Sequence, residues 1–424
     1  MQTTATDPKL APGANLTRII VATVIGNGFI AYDFTVYSFS AVIIGKLFFP
    51  SHNPSASLLL SLATFGAGFV MRPVGAMIIG HIADSRGRKA GLTASLGLMT
   101  LSTWLIACLP TYASIGVAAT VLMVLARLLQ GLASGGEIGP ASASLMESAG
   151  PARRCSLVSW RGASQGVAAF AAALIGAGLT TTLSPASLHD WGWRVPFVLG
   201  GFIGPVGWYL RRHMPAVVIE GGERPRPAGL FARYPRQILY GILMMAAPSV
   251  SIYITVFYMP SYLIMTLHRP AAISLLTASL SGLVILVATP LLGHIADRQV
   301  SRKPIQYVTL ASCLIVTYPA FLALTHGVGD IAALFIILGY VALALNNAGA
   351  SSVLIMEAFP RAYRAAAMSV IYSFGVTIFG GFSPLIVAWL IGLTHDAMMP
   401  AWYLLGAISV TLFGLYRFPD RAPE

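Results

Sequence analysis

Asp33, Arg72, Arg127, Glu137 and Arg161 each lie inside a long apolar run of this 424-residue chain, with Asn27 and Gln165 at comparable depths. An ionised side chain at the middle of a bilayer costs at least about 2.5–3.5 kcal/mol on insertion scales, so an intramembrane charge calls for a partner or a function. At a helical rise of about 1.5 Å per residue, Asp33 and Arg127 fall near or just beyond the middle of their segments. Asn27, Arg72, Glu137 and Gln165 share a level nearer one end, and Arg161 lies about one turn further on. Two acids, three arginines and two amides can thus converge. Their chemistry is anion binding and proton exchange. Guanidinium forks match carboxylates in paired hydrogen bonds, and three Arg against two acids leave a positive surplus. An acid beside a buried Arg exchanges a proton as the pair opens or closes, since desolvation favours the neutral acid and the guanidinium favours the carboxylate.

Asp33, Arg127 and Glu137 are therefore the candidates for proton coupling. Asn27, Arg72, Arg127, Arg161 and Gln165 are the candidates for substrate binding, joined from the second half of the chain by Tyr253, Tyr258, Asn346 and Asn347. That second half places no Asp, Glu, Lys or Arg well inside an apolar run, so the buried charge is lopsided. The competing reading of Asp33–Arg127 and Arg72–Glu137 is a structural ion pair holding helices together. For Arg161 the competitor is snorkelling to the interface. Trp160, beside it, either lines the site or packs.

The elements that carry these residues are membrane-spanning helices. Hydrophobic residues make up 56% of the chain and charged residues 9%, with a mean hydropathy of +0.77; a soluble domain of this length needs far more charge to cover its surface. A spanning helix needs about 20 mostly apolar residues. Twelve such segments can be read, at 18–46, 55–82, 89–110, 113–146, 154–184, 192–212, 236–267, 271–296, 304–325, 330–356, 362–394 and 399–418. The net charge of +12 sits in the short gaps between them, which marks loops facing anionic lipid and argues against nucleic acid. Arg and Lys crowd the even-to-odd gaps, while the opposite gaps hold little beyond Lys46, Arg194 and Arg269. Both termini are then expected in the cytoplasm, with the first helix retained as a span and no cleavable leader.

Gly80–Lys89 (GHIADSRGRK) returns in part as Gly293–Lys303 (GHIADRQVSRK), and Glu147, Pro151 and Arg153–Arg154 return as Glu357, Pro360, Arg361 and Arg364. This repetition predicts an all-α polytopic protein of two pseudo-symmetric six-helix bundles, 1–212 and 236–424, joined by a cytoplasmic linker at 213–235. Asp84, Arg88, Asp297, Glu147, Arg154, Glu357 and Arg364 are candidate gating residues, as charge locks between helix ends that bias which side is open. Cys108, Cys155 and Cys313 are scattered and read as small core residues, and no His pair has ligand spacing, so no metal or cofactor is expected. No intramembrane nucleophile with a base, metal cluster or sizeable soluble domain supports an enzyme or a receptor.

At these residues the sequence resembles the major facilitator superfamily over nearly its whole length. GHIADSRGRK is similar to that superfamily's loop motif between spans 2 and 3, and Arg127–Gly131 (RLLQG) to its span-4 motif, whose Arg is associated with proton coupling. Gly26–Phe34 (GNGFIAYDF), Phe65–Ala76 (FGAGFVMRPVGA), Arg127–Glu137 (RLLQGLASGGE), Ser159–Gln165 (SWRGASQ) and Trp191–Phe197 (WGWRVPF) resemble the metabolite:proton symporter family. Tyr253–Leu263 (YITVFYMPSYL) and Ile378–Ala388 (IFGGFSPLIVA) are similar to the citrate and tricarballylate symporters within it. One departure stands out: Ile30 occupies a position where that family usually carries Glu, one turn before Asp33. The antiporter Gly-Pro motif is absent from 166–180. The resemblance implies a proton-coupled symporter of the bacterial inner membrane, working as a monomer and importing a di- or tricarboxylate, citrate first, by alternating access. The alternative is a same-family symporter for a monocarboxylate such as shikimate or a zwitterion such as betaine or proline.

Overall fold

The computed structural model describes residues 16–86, 88–212, 227–299, 301–345 and 348–419. They form helices joined by short turns, as expected where lipid supplies no partner for an open backbone and each N–H must bond within its own helix. Ten helices are long and apolar enough to span a bilayer, and a bent pair adds an eleventh. The principal elements are α1 (Leu16–Phe39, continued by Ala41–Phe48), α2 (Pro54–Arg86), α3 (Arg88–Cys108), α4 (Val117–Glu147), α5 (Arg154–Thr182) and α6 (Val195–Arg212). They continue as α7 (Pro235–Met265), α8 (Ala271–Asp297), α9 (Lys303–Thr325), α10 (Asp330–Ala344 and Ala348–Glu357), α11 (Arg361–Thr394) and α12 (Met399–Arg417). The 18-residue α6 takes the place of the sixth expected span. The protein is a multi-pass membrane protein.

Neighbour relations repeat with a period of six helices. α1 packs on α5 and α6 as α7 packs on α11 and α12; α4 packs on α2 and α3 as α10 packs on α8 and α9; α3 meets α6 as α9 meets α12. The two sets join through α5 against α8, α2 against α11 and α1 against α7. Of the expected connection at 213–235, residues 213–226 lie outside the described residues, and Pro227–Arg233 is a short helix.

Small residues set the closest approaches. A Cβ on Gly131 would stand 1.6 Å from the carbonyl oxygen of Gly68, and one on Gly75 1.9 Å from that of Leu132, so α2 and α4 touch backbone to backbone. Such contact is how helices adhere where lipid offers no hydrophobic drive. Gly166 of α5 and Gly282 of α8 do the same, each Cβ falling 2.5–2.6 Å from the other's carbonyl oxygen.

Regular winding fails where the centre of the molecule needs it to. α1 bends by 64° between Phe39 and Ala41. Pro73 inside α2 has no N–H for the carbonyl of Phe69, four residues back; that oxygen instead accepts the hydroxyl of Thr377 in α11, at 2.8 Å. Tyr253–Tyr258 in α7 and Val376–Gly381 in α11 wind as π-helices, a form that gathers at functional sites. The outward surface carries Leu101, Val117, Ile315 and Phe335, all exposed and apolar, as lipid contact requires.

Candidate functional site

Asp33 and Arg127 meet, as their depths predict. Thr103 Oγ1 of α3 donates to Asp33 Oδ1 at 2.7 Å, and Arg127 Nη1 stands 3.4 Å from Oδ2. Arg127 Nη1 also donates to Gln130 Oε1, one turn along α4, and Gln130 Nε2 reaches Thr103 Oγ1 at 3.4 Å. Both side chains of the ion pair are wholly buried. The remaining Arg127 nitrogens, Nε and Nη2, have no hydrogen-bond partner; the guanidinium lies over the Tyr37 ring at 4.0 Å and the Phe34 ring at 4.9 Å. Aromatic faces hold a cation without supplying a counter-charge. The cluster is one long ion pair propped by neutral groups, an arrangement that can release Arg127 if Asp33 takes a proton.

Beside it lies a cavity of about 100 Å³ between the two helix sets. Asn27, Ile30 and Phe34 of α1, Arg72 of α2, Arg161 and Gln165 of α5, Tyr253 of α7 and Tyr372 of α11 are among its lining residues. Arg72 and Arg161 are 4% and 5% exposed. Each leaves Nε and Nη1 without a partner. Arg72 rests over Phe69 at 4.3 Å and beside Tyr253. Arg161 rests over Tyr372 at 4.9 Å and donates to Ser352 at 3.5 Å. No Asp or Glu lines the cavity among the described residues. Two buried guanidiniums with unpartnered nitrogens, in a pocket without described acids, have the chemistry to hold an anion.

The structure divides the sequence-based candidates. Asn27 lines the cavity, but its amide nitrogen is spent on the Arg161 carbonyl (3.0 Å) and Ser164 Oγ (2.7 Å), pinning α1 to the turn that carries Arg161. Arg127, expected both to couple protons and to bind substrate, is not among the lining residues and engages Asp33 instead. Tyr258 lies five residues beyond Tyr253, next to Tyr262 rather than in the cavity. Glu137 is buried where α4 breaks, between Gly135 and Ile138, and is not among the lining residues either. Asn346 and Asn347 lie outside the described residues. Trp160 is exposed and not a lining residue. Arg161 is a lining residue rather than an interfacial one. Sequence reasoning missed Tyr372, Thr103 and Gln130. A neutral phenol, hydroxyl or amide in an apolar run carries no signal of its own, although Gln130 stands within RLLQG.

Contacts join the two helix sets at both ends. At the end with the basic loops, Arg154 pairs with Glu357 at 2.8 Å. Asp297, expected to lock onto basic residues, instead accepts the backbone N–H groups of Cys155 and Ser156, both at 2.8 Å, together with the Ser156 hydroxyl. It caps the first turn of α5, where unpaired N–H groups concentrate positive potential. Arg364 lies near Glu147, Glu357 and Arg154, so these four expected gating residues form one cluster. The side chains of Asp84 and Arg88 lie outside the described residues. At the opposite end Ser38 Oγ donates to the Phe257 carbonyl at 2.9 Å, and Gly66 abuts the ring of Phe382. Cys155 and Cys313 are buried, as read from sequence, but Cys108 is exposed.

The sequence profile of the Major Facilitator Superfamily matches residues 16–384. A citrate-proton symporter of Salmonella typhi is 36% identical over 387 residues, which is 90% of this chain and 89% of that protein. A proline/betaine transporter of Escherichia coli strain K12 is 30% identical over 432 aligned residues, 96% of this chain and 84% of that protein. Among solved structures, that of a D-xylose-proton symporter superimposes with a TM-score of 0.77 at 20% identity, covering 95% of this chain and 98% of that one. Matched along most of its length, with a helix arrangement repeated six helices on and a central cavity between the halves, the chain belongs to the major facilitator superfamily of membrane transporters.

Proposed function

We propose that the protein is a proton-coupled symporter that imports a di- or tricarboxylate, most readily citrate, across the bacterial inner membrane. The observation that carries this reading is the pair of buried arginines, Arg72 and Arg161, which keep unpartnered nitrogens and line a cavity with no acid among its described lining residues. The citrate-proton symporter named above supports the same substrate class. Arg72 and Arg161 hold carboxylates, with Gln165, Tyr253 and Tyr372 adding hydrogen bonds. Asp33 carries the proton, released to do so by Arg127. Moving one negative charge into a cell that is negative inside costs about 2.3 kcal/mol per 100 mV, so a multivalent anion needs accompanying protons to offset its charge. Two six-helix halves, with both termini and the connecting stretch on the cytoplasmic side, rock about the central site, and the contacts at either end break in turn.

A zwitterion is the second reading. The rings of Phe34, Tyr253, Phe257 and Tyr372 line the same cavity and suit a quaternary ammonium, and the proline/betaine relative points the same way. Radiolabelled uptake into proteoliposomes under an imposed inward proton gradient separates the two. Citrate accumulation that a protonophore abolishes and excess betaine leaves unchanged is the expected result. Betaine or proline accumulation without citrate uptake refutes the carboxylate assignment.

A further inference from the structure

Phe34 touches two buried cations at once. Its ring centroid is 4.9 Å from the guanidinium carbon of Arg72 and 4.9 Å from that of Arg127. Phe34 and Arg72 line the cavity; Arg127 does not. Consecutive helical residues point about 100° apart, which is how α1 sends Asp33 to Thr103 and Arg127 while the next residue forms cavity wall. Phe65 and Phe69 pack against Phe34, 6.0 Å and 4.9 Å from it between ring centroids. The two guanidiniums repel one another. Other ionisable groups facing the Asp33–Arg127 pair are Tyr32 and Tyr37 of α1 and Tyr253 of α7.

We propose that Phe34 is the positioning residue that couples the anion site to the proton site. The ring keeps Arg127 out of the cavity and therefore on Asp33. An anion seated on Arg72 cancels the repulsion between the arginines and draws Arg127 toward the cavity wall. Arg127 can leave only if a proton from water settles on the Asp33 carboxylate in its place, and the bulk of Phe34 stops it from reaching the substrate itself. Without the ring, Arg127 joins the anion site directly, and binding no longer requires protonation.

This inference rests on the proposed function, and two assays keep the outcomes apart. Wild type, Phe34→Ala, Phe34→Leu and Phe34→Tyr are compared in radiolabelled citrate accumulation driven by a proton gradient and in citrate–citrate counterflow without one. Phe34→Ala and Phe34→Leu are expected to lose accumulation by about tenfold or more beyond whatever they lose in counterflow, a split of the size that site-to-site coupling commonly has. Phe34→Tyr, which keeps the ring, is expected to accumulate citrate. Accumulation at the wild-type level in Phe34→Leu overturns the inference. So does an equal loss of both activities in Phe34→Leu, the mark of a structural role; should Phe34→Ala fail to fold, Phe34→Leu alone decides. A wild-type protein that neither accumulates nor exchanges citrate overturns the proposed function itself, and the inference with it.

Discussion

Arg72 and Arg161 each keep two buried nitrogens free of protein partners, which is costly unless a ligand fills them for part of the cycle. Hydrogen bonds to charged groups contribute about 1.5–3 kcal/mol, so truncating either arginine should raise the KM for citrate by about tenfold to a hundredfold. Initial-rate uptake by Arg72→Ala and Arg161→Ala checks this; an unchanged KM removes the anion site. Lys at either position should restore only part of the loss, because an ammonium cannot reproduce the planar fork. Asp33→Asn removes the proton acceptor yet keeps the hydrogen bond from Thr103. It should abolish gradient-driven accumulation and retain counterflow, and accumulation that survives in this variant eliminates Asp33 as the carrier.

Helix contacts set the geometry these residues need, and they tolerate little. Gly131 and Gly68 bring α4 against α2, holding both Arg127 and Arg72 against Phe34. Any Cβ at Gly131 meets backbone that cannot swing aside. Gly131→Val should destabilise the fold by about 1–3 kcal/mol or more through overpacking, read as a lower melting temperature of the detergent-solubilised protein. Gly406→Ala, where nothing lies within 4 Å, should leave the melting temperature unchanged or slightly raised, since Ala favours helix. The pairing of α5 with α8 through Gly166 and Gly282 serves the junction between halves in the same way. There a bulky residue should impair transport more than melting, because the proposed cycle makes that surface slide.

Contacts join the two helix sets at both ends of the molecule, and the cap on α5 offers a handle on how they part. Cys155 is buried, and its N–H bonds Asp297. In a background lacking Cys108 and Cys313, Asp297→Ala should speed maleimide labelling of Cys155 several-fold by shifting the population toward a state open at the basic end. Labelling that stays as slow as in the parent protein excludes Asp297 as a gate. The face of an oriented vesicle from which a membrane-impermeant maleimide reacts also tests the proposed cytoplasmic orientation of that end.

Composition, charge placement and the repeated loop motifs determined that this chain is a helical membrane protein of repeated halves, because spanning helices hide so much apolar length while leaving most of its arginines in the short gaps. Depth counting was enough to bring Asp33 to Arg127, since rise per residue fixes a helical side chain's level. Level is not direction, however. Rotation about each helix axis, set by glycine contacts, Pro73 and the π-helical turns, decided that Arg72 and Arg161 line the cavity while Arg127 and Tyr258 do not. It also brought Tyr372 from a neutral apolar run to the side of Arg161, and Phe34 against both arginines. Those outcomes depend on how twelve helices pack together, which no single stretch of sequence encodes.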